Sequence, residues 1–373
     1  MTATPVAEVS AAHRRPTIHP LRVKDVEPLT DEAVAIEFEM PPDLATEYSF
    51  THGQHVSVRC EAAGDDARRS YSICSAAGSG RLRIAVKHLP GGIFSAFALE
   101  RLRPGDIVEV VTPIGHFNTQ VGPRHSASYA MIAAGSGITP ILSIVSTILA
   151  VEPHSSVTLI YGNRTVKDIM FLEELEDLKN QYPERFALYH VLSREEQEVR
   201  LFHGRIDAER LSMFLDELIP PAGVDEWFLC GPRDMIESAR AVLLERGVDA
   251  DHVHAELFHA DGAPRPARTA EQLAATTQIA GASEVTIILD GRSSTFAVPP
   301  DGERILDAAL RVRSDAPYAC KGGVCGTCRA RLISGSVEMD QHFALEQREI
   351  DAGFVLACQS HPTTPKVVID FDQ

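Results

Sequence analysis

The sequence predicts a multidomain chain: an antiparallel β-barrel, then a doubly wound α/β sheet, then a small α+β unit. Three observations predict it. Short apolar alternations between turn signals run from Ile18 to about Pro113, the pattern of an antiparallel barrel. After Pro123 longer units set up a β-α-β rhythm, which implies a parallel sheet with helices on both faces. A polar break then precedes a new hairpin signal and a cysteine-rich loop. With 373 residues the chain exceeds one ordinary core. Its 44 % hydrophobic and 23 % charged residues are ordinary globular values, so it should fold.

Taken in order, residues 1–16 read as a loose, Ala-rich tail without periodicity. The barrel is assigned to 17–122. Its strand signals include Ala33 to Phe38, His55 to Val58 and Leu82 to Val86, with punctuation at Pro41-Pro42, Gly64-Asp65, Gly78 and Pro104-Gly105-Asp106. The α/β domain is assigned to 123–258. Tyr129 to Ala134 is a continuous apolar run suited to a buried parallel strand, and Gly135-Ser136-Gly137 leads from it into a helix over Pro140 to Leu149. Val157 to Tyr161, Phe186 to Leu192 and Glu226 to Cys230 read as further strands, with helices over Phe171 to Leu178 and Met235 to Leu244. Residues 259–283, rich in Ala, Thr, Pro and Gly, read as a linker. The last domain, 284–373, opens with Val285 to Leu289, turns at Asp290-Gly291 and returns through Thr295 to Val298, a hairpin signal.

Composition excludes some partners. A formal net charge of −17 argues against nucleic acid and suits docking to a basic protein surface. No apolar run approaches the ~18–20 residues that span a bilayer. Met1 to Ser10 lacks the basic stretch and apolar core of a signal peptide, so a cytoplasmic protein is expected.

Cys320-x4-Cys325-x2-Cys328, with a distant Cys358, has the spacing of a plant-type [2Fe–2S] ligand set. Gly322, Gly323 and Gly326 let the loop wrap an anionic cluster with backbone N–H groups turned toward sulfur. Structural zinc prefers two short Cys pairs, and only one is present. Nothing suggests secretion, which weighs against disulfides. Cys60, Cys74 and Cys230 are scattered. One-electron transfer is therefore the expected chemistry.

The turn Gly135-Ser136-Gly137-Ile138-Thr139-Pro140 joins a buried strand to a helix, where a dinucleotide pyrophosphate would meet unpaired N–H groups and the helix dipole. Pro140 replaces the third glycine of the usual fingerprint, so a plain tight turn stays open. The next strand ends in Gly162-Asn163-Arg164, without the acid that holds the NAD ribose, and a later one ends in Ser193-Arg194. Arginine and serine suit a 2′-phosphate, which favours NADPH. Solvated loop tips are the competing reading. Arg69 and Tyr71 share a strand face and suit a phosphate and a flat ring, while Gly91-Gly92 opens a segment toward phosphate.

These parts, in this order, resemble the ferredoxin-reductase flavoprotein family. The resemblance implies that Arg69 binds the flavin phosphate, Tyr71 lies against the isoalloxazine and Ser72 stands near its reactive nitrogen. Gly53-Gln54-His55, Val86-Lys87 and Gly91-Gly92 through Phe94-Ser95 match the remaining flavin-contacting segments. Gly135, Gly137 and Thr139 match the nicotinamide-nucleotide turn, and Cys230-Gly231-Pro232 the motif beside the hydride-transfer site. Glu256-Leu257-Phe258 resembles the end segment whose aromatic covers the flavin, and FAD is the implied flavin. The fused cluster domain would then be a β-grasp ferredoxin. From roughly Ile18 to Asp372 the chain further resembles the reductase subunits of phenylacetyl-CoA epoxidases, through Leu159 to Thr165, His203 to Asp207, Tyr318 to Cys325 and Val368 to Asp372.

The implied role is electron transfer from NADPH through FAD and the cluster to a di-iron oxygenase, with Ser72, Cys230 and Thr139 at the hydride contact. The linker would let the cluster domain face flavin or partner. Reductases of steroid ring hydroxylases share the same three-part order, and aromatic-ring oxygenases are further candidate acceptors. A flavin-based redox sensor is the alternative from another class. Lys321, Arg329 and Arg331 are candidates for a partner-facing rim.

Overall fold

The computed structural model describes residues 16–59, 68–258, 281–299, 302–345 and 347–373. Cys60 and the Gly64-Asp65 turn lie outside the described residues, as does most of the expected linker, 259–280.

Six strands form the first sheet: β1 (Ile18–Thr30), β2 (Ala33–Phe38), β3 (His55–Arg59), β4 (Arg69–Ser72), β5 (Leu82–Lys87) and β6 (Ile107–Val111). Their order is β4-β3-β6-β1-β2-β5 and every pairing is antiparallel. The bridge Ile73↔Ile84 brings the chain after β4 onto β5 and closes the barrel. Leu21, Val56, Val58, Ile84 and Val108 fill it, and α1 (Ile93–Glu100) caps it with Phe94 and Phe97. Alternating strands place one face on this core and leave the other for polar contacts.

The second sheet contains β7 (Ser128–Ala134), β8 (Ser156–Asn163), β9 (Phe186–Leu192), β10 (Glu226–Gly231) and β11 (Val253–Leu257). It is parallel throughout, in the order β11-β10-β7-β8-β9. Met131 and Ala133 of β7 face α2 (Ile138–Val151) and α3 (Leu172–Gln181), whereas Ala130 and Ile132 face α4 (Ala208–Glu217) and α5 (Arg233–Glu245). Both faces are covered, which explains the unbroken apolar run. Helix α4 is an addition to the elements expected from sequence, with Leu211, Phe214 and Leu215 as its buried stripe. The chain order reverses between β7 and β10, the crevice where open α/β sheets bind ligands.

Two polar clusters, each built on one buried charged side chain, lie where these domains meet. Glu152 is fully buried and meets Gly122 N, His125 Nδ1, Tyr129 Oη and Ser155 Oγ at the interdomain crossover. Arg83 of β5 donates to Glu27 at 2.5 Å and to Glu174 of α3 at 2.7 Å, with its guanidinium over Phe171.

The third domain is a mixed sheet of β12 (Ser283–Leu289), β13 (Arg292–Val298), β14 (Arg329–Ser334), β16 (Phe354–Leu356) and β18 (Lys366–Asp370), in the order β13-β12-β18-β14-β16. It grasps α6 (Ile305–Leu310), whose Ile305, Leu306, Ala308 and Ala309 are fully buried. A short pair, β15 (Val337–Met339) with β17 (Ser360–Pro362), and the helix α7 (Gln347–Asp351) complete it. Strand β12 starts at Ser283, the last residue of the expected linker. No helix among the described residues is long and apolar enough to cross a membrane.

Candidate active site

The cluster loop lies between α6 and β14, with Cys358 just after β16. All four cysteines are free, and Cys325, Cys328 and Cys358 are buried. Their side chains pair as Cys320 with Cys325 and Cys328 with Cys358. Donors surround the sulfurs: Gly322 N lies 3.3 Å from Cys320 Sγ, Gln359 Nε2 lies 3.4 Å from Cys358 Sγ, and Thr327 Oγ1 meets Cys325 Sγ at 3.2 Å. The bond from the Cys320 thiol holds the Cys325 thiol well below its ordinary range despite burial, and contact with Cys328 lowers Cys358 in the same way. Gly323 has φ +78°, and a Cβ there would lie 3.0 Å from Gln359 Cγ and 3.2 Å from Gln341 O. A tight loop of thiolates with inward donors fits a [2Fe–2S] cluster.

Of the expected rim, Arg329 is turned inward. It pairs with Glu349 at 3.0 Å and lies over Phe354, with 13 % of its side chain exposed. Lys321 sits over Tyr318 and reaches Asp307, and Arg331 donates to Gln373.

The candidate hydride site is assembled from three segments. Ser72 ends β4 and is nearly buried, and its Oγ donates to Glu256 Oε2 at 3.2 Å. Glu256 stands on β11 directly opposite Cys230 of β10. Burial pushes the Glu256 carboxyl up to about 8, with Ser72 opposing and Cys325 adding to the shift. Burial also raises the Cys230 thiol well above its ordinary value, and the Glu256 charge adds to it.

Gly137 is what brings α2 onto this cluster, because a Cβ there would stand 2.2 Å from Cys230 O. Gly135 has φ +54°, a second demand for glycine in the turn. Thr139 Oγ1 donates to Ser136 O at 3.0 Å. Pro140 is the third residue of α2, where the backbone nitrogen needs no helical acceptor. That explains why proline is accepted in place of the fingerprint glycine. Gly231 packs against Ala134 and Met235 across the same crevice.

The flavin-contacting candidates divide. Arg69 and Tyr71 lie on one face of β4, opposite Val58 and Val56 of β3. His55 pairs with Ser72, and its ring lies beside Cys325; burial lowers its pKa. Gly53, before it, is obligatory: with φ +76°, a Cβ would fall 1.8 Å from Phe117 O. Gly91 has φ +80°, and Gly92 approaches Ser95 Oγ and Leu89 O at the head of α1, where Ser95 Oγ accepts from Leu89 N. Val86 and Phe94 fill the barrel core, Phe94 with its ring 5.5 Å from Tyr71. Phe258 is partly buried against the α2 side of the sheet.

The coenzyme candidates gather at the ends of β8 and β9. Ser193 N and Arg194 N donate to Asn163 O and Arg164 O at 2.9 and 2.8 Å, zipping the two loops together. Arg164 reaches Glu32 of the barrel at 2.9 Å and Asp168 at 3.8 Å. Lys87 is half-buried in the same group rather than beside Ser72 or Tyr71; desolvation lowers its pKa, and Arg164 lowers it further.

Family models match each domain: an oxidoreductase FAD-binding domain over residues 20–119, an oxidoreductase NAD-binding domain over 131–241, and a 2Fe-2S iron–sulfur cluster binding domain over 287–363. A subunit of the 1,2-phenylacetyl-CoA epoxidase from Escherichia coli (strain K12) is 43 % identical, covering 95 % of this chain and 98 % of that protein. The ferredoxin reductase component of 3-ketosteroid-9-alpha-monooxygenase from Mycobacterium tuberculosis (strain CDC 1551 / Oshkosh) is 32 % identical, covering 95 % and 96 %. The chain belongs to the family of oxygenase reductase components.

Phthalate dioxygenase reductase, described as a modular structure for electron transfer from pyridine nucleotides to [2Fe-2S], matches the fold with a TM-score of 0.56 at 22 % identity, over 95 % of this chain and 98 % of that one. An intact type IV self-sufficient cytochrome P450 monooxygenase matches with a TM-score of 0.67 at 21 % identity, over 94 % and 41 %. Both support the three-domain fold of this reductase.

Two residues of the site have no motif of their own in the sequence. Glu256 is the first residue of a segment notable for its aromatic, and Glu32 belongs to no motif at all. An acid at the end of an edge strand beside a switch point is the available signal for Glu256.

Proposed function

We propose that this reductase takes electrons from NADPH through FAD and its [2Fe–2S] cluster to a di-iron oxygenase, and that the oxygenase is a phenylacetyl-CoA epoxidase. A bound flavin accepts the electron pair of a hydride and releases electrons singly, which is what a cluster can accept. Arg69 and the Gly91-Gly92 turn hold its phosphates, and Tyr71 lines its ring. Ser72 and Cys230 border the hydride contact from opposite domains. Thr139 and Gly135 orient the nicotinamide end of the coenzyme, while Ser193, Arg194 and Arg164 receive its 2′-phosphate. The four thiolates of the cluster loop hold the iron.

The observation that carries this reading is the 3.2 Å bond from Ser72 to Glu256, because it ties the flavin barrel to the nucleotide domain with Cys325 in its field. The acceptor rests on the 43 % identity to an epoxidase subunit. Reconstitution with purified phenylacetyl-CoA epoxidase oxygenase subunits tests it. NADPH-dependent epoxide formation is expected, and rapid cytochrome c reduction without epoxide would sink the acceptor assignment alone. Arg194→Ala should raise the KM for NADPH about tenfold and leave NADH nearly unchanged, as for a lost charge-assisted contact. Equal losses for both coenzymes would overturn the 2′-phosphate assignment.

A further inference from the structure

The seam where the barrel meets the coenzyme loops holds an ion pair that plays no part in hydride or electron transfer. Glu32 is the second residue of the β1–β2 turn, and its backbone is fixed on both sides: Glu32 N donates to Thr30 Oγ1 at 3.2 Å, and His88 N donates to Glu32 O at 2.7 Å. Its carboxylate crosses to the other domain and accepts from Arg164 Nη2 at 2.9 Å. Both partners are little more than half covered, with 43 % of the Arg164 side chain and 45 % of the Glu32 side chain exposed. The second carboxylate near Arg164 makes the looser contact: Asp168 Oδ2 accepts from Thr165 N and Oγ1 in a capping box, and its Oδ1 stays 3.8 Å from Arg164 Nε. Glu32 is therefore the group that contests the Arg164 guanidinium.

We propose that Glu32 sets the coenzyme preference of this reductase by competing with the 2′-phosphate of NADPH for Arg164. The proposal rests on the NADPH assignment and deepens it. A 2′-phosphate arriving at Arg164, Ser193 and Arg194 must displace a carboxylate already bonded to the guanidinium, and it meets like-charge repulsion while doing so. NADH has only a ribose hydroxyl there and meets neither cost. The barrel thus acts on a site that belongs to the other domain, and it narrows the gap between the two coenzymes.

The test measures binding of 2′,5′-ADP and 5′-AMP to the holoprotein by calorimetry, and the kcat/KM ratio of NADPH to NADH. In Glu32→Gln the preference for the 2′-phosphorylated ligand should rise about threefold, the size of an exposed ion pair. Glu32→Asp, which withdraws the carboxylate by one methylene, should give a smaller rise in the same direction and serves should the glutamine variant fold poorly. Asp31→Asn removes the same charge from the exposed neighbouring position and should leave the ratio unchanged. In the background of Arg164→Ala, Glu32→Gln should no longer raise the ratio. If Arg164→Ala and Arg194→Ala lower the preference but Glu32→Gln does not raise it, the competition is refuted while the NADPH assignment stands. Should neither arginine variant change the preference, the 2′-phosphate assignment fails and the role of Glu32 fails with it. A rise in Asp31→Asn equal to that in Glu32→Gln would reduce the effect to general electrostatics and overturn the proposal.

Discussion

The cluster loop takes three of its four thiols from Cys320 to Cys328 and closes with Cys358 from the same small domain. The proposed hydride site joins Ser72, Gly137, Cys230 and Glu256, and its Ser72–Glu256 bond spans 184 residues of chain. One site is carried by a single core and the other exists only while two domains are docked. Damage to the domain seam should therefore separate them, sparing the cluster and disabling hydride transfer. Damage inside the loop should do the reverse.

The sharpest break is Cys325→Ser. Cys325 is buried among the other thiols and hydrogen-bonded to Thr327. The variant should lose the cluster's visible absorption and all reduction of an oxygenase partner. Its NAD(P)H-dependent reduction of ferricyanide at the flavin should largely persist, because Ser72, Gly137, Cys230 and Glu256 all lie outside the cluster domain. Loss of the ferricyanide activity as well would mean that the two sites are not separable.

Arg83→Ala strikes the other region. The guanidinium is 5 % exposed and holds Glu27 and Glu174 together across the seam. Both carboxylates are about half exposed, 52 % and 41 %, so the loss is that of two partly screened pairs and of the guanidinium's packing, about 1–2 kcal/mol. Thermal unfolding of the two reductase domains should move down and hydride transfer should fall, while the cluster spectrum is unchanged. A matching loss of cluster signal would show that the three domains unfold as one unit.

The same contrast explains what can be read from the chain. The candidate cluster cysteines announce themselves because their spacing is local, and strands such as Ala33–Phe38 and Ser128–Ala134 because their periodicity is local. Arg83 reads as one more polar residue of an alternating strand, since its partner Glu174 lies 91 residues away. Glu32 and Arg164 are separated by 132 residues, and no spacing rule connects them. Phe94, expected from its motif position to contact the flavin, packs its ring into the barrel core against Tyr71. What sequence leaves out is the polar chemistry that appears when distant segments meet.

Glu256→Gln sharpens the comparison most finely, because it alters one proton at the docked site. The carboxyl is raised from an ordinary 4.5 to about 8, chiefly by burial, so it is neutral below that value in the folded chain. A group raised on folding stabilises fully below its unfolded pKa, and that contribution drains away as pH climbs through the folded value. Stability of the reductase domains should thus fall between about pH 4.5 and 8 by at most about 1.4 kcal/mol per pH unit from this group. Glutamine keeps an acceptor for Ser72 and carries no proton to lose, so the variant's stability should decline less steeply across the same window. Thermal melts of both proteins at about pH 5, 6.5 and 8, with the cluster spectrum followed in parallel, decide it. Parallel stability curves would place the titration elsewhere. A cluster signal that changed with the glutamine substitution would show that the Cys325 side of the contact is bound to the hydride site more tightly than a local loop should be.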